Sequence, residues 1–156
     1  CIMWAYIGIS AGDFASGFIS HLLESRKKAI FWMLIFTLLG VILLLSGVAK
    51  TVNMYYFFMT WLGLGTGYWA MFVTVGAEQF GTNIRSTAAT TIPNMVRGSL
   101  PLMVILYNYI KEDFYTSPTD GVINATIVVG TIAFSLAIYS TLTIEETHNR
   151  DMDFLE

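Results

Sequence analysis

From Ala29 to Ala49 the chain runs AIFWMLIFTLLGVILLLSGVA without one charged side chain. A helix crossing a hydrocarbon core of about 30 Å needs roughly 20 mainly apolar residues, and this stretch supplies them. Four more stretches share its character: Ile2–Leu23 (interrupted by Asp13), Met54–Ala77, Ser86–Ile110 and Gly121–Thr143. Lipid cannot satisfy backbone N–H and C=O groups, so spanning segments must be helices or closed barrels. Barrel strands alternate apolar and polar residues over about ten positions, and these continuous runs do not. The expected fold class is all-α: a polytopic membrane protein with five transmembrane helices and a tail over residues 144–156.

Composition supports the class and excludes others. The chain is 55% hydrophobic and 12% charged, with mean hydropathy +0.63. A soluble domain carries about 25% charged residues, and this chain has too few to cover a wetted surface. The net charge of −3 and the scatter of eight Lys and Arg over loops and ends leave no nucleic-acid footprint. The single cysteine, Cys1, excludes an internal disulfide framework and a cysteine-rich metal site. No cofactor is called for. No HExxH pair or cysteine nucleophile near a histidine occurs, and His21 and His148 read as solvated loop residues, so an enzyme is not expected. The first span has neither a charged flank ahead of it nor a small-residue cleavage pattern, unlike a signal peptide. Starting inside an apolar run without Met, the sequence reads as a piece of a longer protein.

Basic residues set the expected orientation. Arg26, Lys27 and Lys28 follow the first span, Arg85 lies between the third and fourth, and Arg150 is in the tail; Lys50 and Lys111 occupy the other two loops. By the positive-inside rule the larger group, and with it the C-terminus, is cytoplasmic, in the plasma (inner) membrane. Acidic residues of the tail (Glu145, Glu146, Asp151, Asp153, Glu156) contribute little to topology. Trp4, Trp32, Tyr55, Tyr107 and Tyr109 fit interfacial anchoring, with plain lipid contact as the alternative.

The spans differ in ways that assign work. The second and fifth hold no charged residue and read as outer, lipid-facing supports. The first has Gly8, Gly12, Ser16 and Ser20 at four-residue spacing, a stripe that lets another helix approach closely. Gly63, Gly65 and Gly67 in the third allow close packing or bending, with Trp61, Tyr68 and Trp69 beside them. Pro93 and Pro101 flank Asn94 and Arg97 in the fourth, and each removes a backbone hydrogen bond. Asp13 lies about 15 Å from Leu23 and Arg97 about 16 Å from Ser86 at 1.5 Å per residue, so both sit near the midplane. A charge there costs at least about 2.5–3.5 kcal/mol and must face protein or water. Asp13, Arg97, Asn94, Tyr68, Trp69 and Trp61 are therefore candidates for a solute or ion path, with a purely structural Asp13–Arg97 pair as the alternative. The planar fork of Arg97 suits a carboxylate solute.

Between the third and fourth spans stands Gly76–Arg85, GAEQFGTNIR: a carboxylate, a turn and a guanidinium at one membrane face. Its part Glu78-Gln-Phe-Gly-Thr-Asn-Ile-Arg85 resembles the E-x-F-P-T-x-x-R loop between helices ten and eleven of major facilitator superfamily transporters, most clearly their sugar-porter-like branch. Glu145-Glu-Thr-His-Asn-Arg150 is similar to the P-E-T-K-G-R run after helix twelve. Gly17 to Lys27 resembles the G-x-x-x-D-R-x-G-R-R/K loop between helices eight and nine. Motif order and spacing are kept along nearly the whole chain. His21, Leu22 and Glu24 replace the Asp, Arg and Gly of one motif, Gly81 and Glu145 replace prolines, and Val73 stands where sugar porters place a Trp.

The resemblance implies helices eight to twelve of a twelve-helix carrier, most of its C-terminal six-helix half, completed by N-terminal helices that this chain lacks. It implies alternating access by rocking of two halves, with Glu78, Arg85, Arg26, Lys27 and Glu145 as a cytoplasmic gating charge network. The expected function is secondary transport of a small polar or anionic solute, with Asp13 making proton coupling (a symporter) conceivable. Expected partners are the missing helices, the bilayer, the solute and protons. A receptor or structural remnant that binds without transporting is the alternative. Asn124-Ala-Thr126 matches the glycosylation pattern by chance as readily as by function and receives no role.

Overall fold

The computed structural model describes residues 1–113 and 118–147, with Asp113 and Pro118 by backbone alone. His148, Arg150, Asp151, Asp153 and Glu156 lie outside the described residues. Among the described residues there are six α-helices and no strand: α1 (Ile2–Leu23), α2 (Arg26–Leu45), α3 (Val52–Thr66), α4 (Trp69–Glu78), α5 (Arg85–Asp113) and α6 (Pro118–Thr143). The described residues are all-helical in class, and among them three helices are long and apolar enough to cross a membrane: Ile2–Leu23, Arg26–Leu45 and Thr119–Thr143.

Two stretches differ from the expected spans for identifiable reasons. The run 54–77 is not one helix. It breaks at Gly67 (φ −75°, ψ 36°) and Tyr68 (φ −106°, ψ 17°), leaving α3 with 15 residues and α4 with 10. Gly63 and Gly65 in the last turns of α3 weaken the helix by about 1 kcal/mol each relative to alanine, and the chain turns at a third glycine, the C-cap Gly67. Ser86–Ile110 falls inside the 29-residue α5, which continues through Pro93 and Pro101. Arg85, Arg97 and Lys111, with a run of Ser, Thr and Asn, make α5 much more polar than its neighbours.

The helix starts follow from local chemistry. Ser25 Oγ accepts from Lys28 N to open α2, and Thr51 Oγ1 accepts from Met54 N to open α3. α1 ends on Glu24, whose φ of 47° places it in the left-handed region that glycine adopts most easily. This is the motif position at which the resembled loop carries glycine.

α3 is wedged between α1 and α2, and α4 continues past α1 toward α5, while α6 packs on α2 and α5. The α1–α3 crossing is made by glycines. A Cβ on Gly8 would lie 2.9 Å from Leu64 N, and one on Gly12 would lie 2.8 Å from Gly67 Cα. The four-residue stripe Gly8, Gly12, Ser16, Ser20 is buried as a unit. On its other side α3 meets α2 through Gly65 against Thr37 and through Trp61, whose ring lies against Gly40. A core of Ala29, Ile30, Leu34, Met71 and Val75 joins α2 to α4, with Phe134 and Ala137 of α6 packed on it.

Gly12→Ala should destabilise the fold by about 1–3 kcal/mol, because neither backbone at the crossing can yield without opening it. Gly17→Ala, whose Cβ would meet nothing within 4 Å, should not destabilise it. Unfolding midpoints in a detergent titration of the two variants check the contrast.

Candidate functional site

The close approach of Gly12 to Gly67 fixes what lies one residue on. Asp13 follows Gly12, and the helix break follows Gly67, so the carboxylate arrives at the first turn of α4. There Ala70 N donates to Asp13 Oδ1 at 3.4 Å. Tyr68, the N-cap of α4, makes no side-chain cap bond of its own. Asp13 therefore serves a helix start across the interface, where a negative charge also meets the positive end of the helix dipole. Its backbone carbonyl accepts from Ser16 Oγ at 2.9 Å.

Arg97 reaches the same turn from the opposite helix. Its guanidinium carbon stands 5.5 Å from the centre of the Trp69 ring, a cation–π contact. The two midplane charges thus flank consecutive residues, Trp69 and Ala70, without pairing with each other. Ion pairs form elsewhere, Arg26 with Glu78 and Lys111 with Glu112. Arg97 and Asn94 are exposed along α5.

The remaining aromatic candidates face elsewhere. Trp61 stacks on Phe36 with centroids 4.9 Å apart, and its Nε1 donates to Phe36 O at 3.1 Å. That fully occupied indole ties α3 to α2. Tyr68 lines a recess of about 170 Å³ with Leu34, Thr37, Phe134 and Ala137. The structure brings together Asp13, Arg97 and Trp69, and leaves Trp61 and Tyr68 on the packing side of the break.

A cleft of about 360 Å³ opens between α1 and α4, lined by Asp13, Ser16, Ser20, His21, Arg26 and Thr74 among others. It extends from the break at Asp13 to the charged end of the two helices. There Arg26 pairs with Glu78, the last residue of α4. Glu78 Oε2 is buried with no hydrogen-bond partner among the described residues. Arg85 lines a neighbouring recess with Glu78 and donates through Nε to Phe80 O at 3.3 Å.

Lys27 and the C-terminal segment form a second joint at this end. Lys27 Nζ donates to Leu142 O at 2.6 Å and Ile144 O at 3.1 Å, closing the last turn of α6. In return the Glu146 carboxylate accepts from Arg26 N at 3.1 Å, from Lys27 N at 3.3 Å and from Ser25 Oγ, closing the first turn of α2. Glu145, the tail residue expected in the charge network, enters through its carbonyl, which accepts from Gln79 Nε2 at 3.1 Å. Glu146 is the functional neighbour that sequence reasoning passed over. The signal was present, since Glu146 is the residue that matches the glutamate of the resembled tail motif.

Compared with known proteins, the chain matches no family model, no curated protein and no solved structure.

Asp13→Ala should weaken the start of α4 by about 1 kcal/mol, the usual worth of an N-cap. Faster hydrogen exchange at the amides of Ala70 and Met71, with α2 unchanged, is the expected result; Asp13→Asn, which keeps an acceptor, should show a smaller effect.

Proposed function

We propose that the chain is part of a secondary transporter that moves a small polar or anionic solute by alternating access. In this reading residues 54–77 cross the membrane as a broken helix and α5 crosses beside it, making five crossings. Further helices of the same protein face the polar sides of α1, α4 and α5. This is the arrangement of the C-terminal half of a major facilitator superfamily carrier, and the three motif resemblances support it. The C-terminus and the Arg26–Glu78 end then lie in the cytoplasm.

The observation that carries the proposal is the short helix α4. One end rests on the carboxylate of Asp13, and the other ends in the Arg26–Glu78 pair. Discontinuous helices at mid-depth are how many carriers place backbone groups at a solute site. A ten-residue helix held at both ends by polar contacts can tilt when either contact is exchanged, while the glycine crossing stays in place. The polar cleft beside it connects those two contacts. Arg97 on the Trp69 face offers a planar cation to a carboxylate solute, and Asp13 offers a proton site for coupling. The unpartnered Glu78 Oε2 calls for a donor, which a facing half would supply in the closed state.

The test is counter-flow of labelled organic acids and sugars in proteoliposomes holding the intact protein. Glu78→Gln and Arg26→Gln should each lower counter-flow about tenfold or more, as breaking a largely buried charge pair would. Solute binding should survive. Wild-type rates in both variants would sink the gate. Binding without counter-flow in the unaltered protein would identify a receptor instead.

A further inference from the structure

The flank of α2 that faces α6 and the outside of the bundle carries a groove that the carrier reading does not use. At the end bearing the basic residues it widens to about 500 Å³, lined by Glu24, Lys28, Phe31, Trp32 and Leu142 among others. Further along the same two helices it is a recess of about 300 Å³ between Leu38, Ile42 and Leu45 of α2 and Ile127, Thr131 and Ser135 of α6. Phe31, Leu38 and Leu45 stand seven residues apart on one stripe of α2, and Leu142, Ser135 and Ile127 do the same on α6 within one residue. The two recesses are therefore successive parts of one furrow. From Lys28 to Leu38 is about 15 Å at 1.5 Å per residue, the depth of one leaflet of a hydrocarbon core about 30 Å thick.

The charges at the mouth are already sorted. Lys27 is spent on the carbonyls of Leu142 and Ile144, and Glu146 on the first amides of α2. Lys28 and Glu24 have no ion pair among the described residues, and both are exposed at the same mouth. Trp32, 58% exposed below them, is an amphipathic ring at interfacial depth. One cation and one anion over an apolar furrow of leaflet depth match a headgroup with both a phosphate and a hydrogen-bonding ammonium.

We propose that this furrow holds a phosphatidylethanolamine molecule, its phosphate at Lys28, its ammonium at Glu24 and one acyl chain along Phe31, Leu38 and Ser135. A choline headgroup has no N–H to give Glu24. A glycerol headgroup brings the phosphate but leaves Glu24 as an uncompensated negative neighbour. The proposal rests on the membrane placement of α2 and α6 and not on transport, so it stands or falls separately from the carrier reading.

Native mass spectrometry of the intact protein with equal amounts of phosphatidylethanolamine, phosphatidylcholine and phosphatidylglycerol tests it. Phosphatidylethanolamine should be retained about fivefold over either competitor, the upper worth of one exposed ion pair, here its ammonium with Glu24. Glu24→Gln should abolish that preference and shift it toward phosphatidylglycerol, and Lys28→Ala should lower retention of all three lipids, since each brings a phosphate. Ser135→Phe, which fills the furrow below the headgroup, should lower retention of all three lipids. Lys50→Ala, at the other end of α2, should change nothing. Equal retention of the three lipids by the unaltered protein would overturn the proposal, as would an undiminished preference in Glu24→Gln.

Discussion

The contact on which the rest of the structure depends is the meeting of two backbones at Gly12 and Gly67. No side chain intervenes there, and a methyl on either residue would strike main-chain atoms of the other helix. In a lipid environment helices gain little from burying apolar surface against each other, so close approach and van der Waals contact must supply the association. The glycines also set a register. Because Gly12 is held against Gly67, Asp13 meets Ala70, and because α4 begins there, its far end brings Glu78 to Arg26. One steric fact thus places both polar contacts of α4.

The two ends of α4 are held by different physics. At the start, a carboxylate takes an amide at 3.4 Å, a long contact assisted by the helix dipole. At the finish, two full charges meet in a largely dehydrated setting, with side chains 27% and 13% exposed. Removing one partner of such a pair leaves the other charge stranded, which is far more costly than losing a surface pair. The two contacts therefore differ in strength, and the weaker one lies at the break, where the chain has already left helical geometry.

Much of this was legible in the residues, and the rest was hidden for stated reasons. The buried stripe of α1 could be read because its spacing of four matches a helix face. The class was legible because Ala29–Ala49 offers water nothing to solvate. The break at Gly67–Tyr68 was only half visible: hydropathy continues across it without a dip, and glycines serve packing as readily as bending. Depth arithmetic put Asp13 and Arg97 at one level but carries no information on direction around a helix axis, and α4 stands between them. Glu145 and Glu146 are sequence neighbours outside any helix, where no periodicity says which side chain turns inward. Trp61 could be singled out as aromatic, but nothing in the sequence pairs its indole N–H with a carbonyl on the preceding helix.

The exchange of end groups between α2 and α6 orders events during synthesis. Ser25 can open α2 as soon as the first few residues of that helix emerge, because it caps Lys28 locally. The amides of Arg26 and Lys27 wait for Glu146, and the last carbonyls of α6 wait for Lys27. Residues about 120 positions apart complete one another only after the sixth helix has been made. Until then the basic end of α2 is unfinished, and a chaperone or insertion factor would meet it with its first turn open.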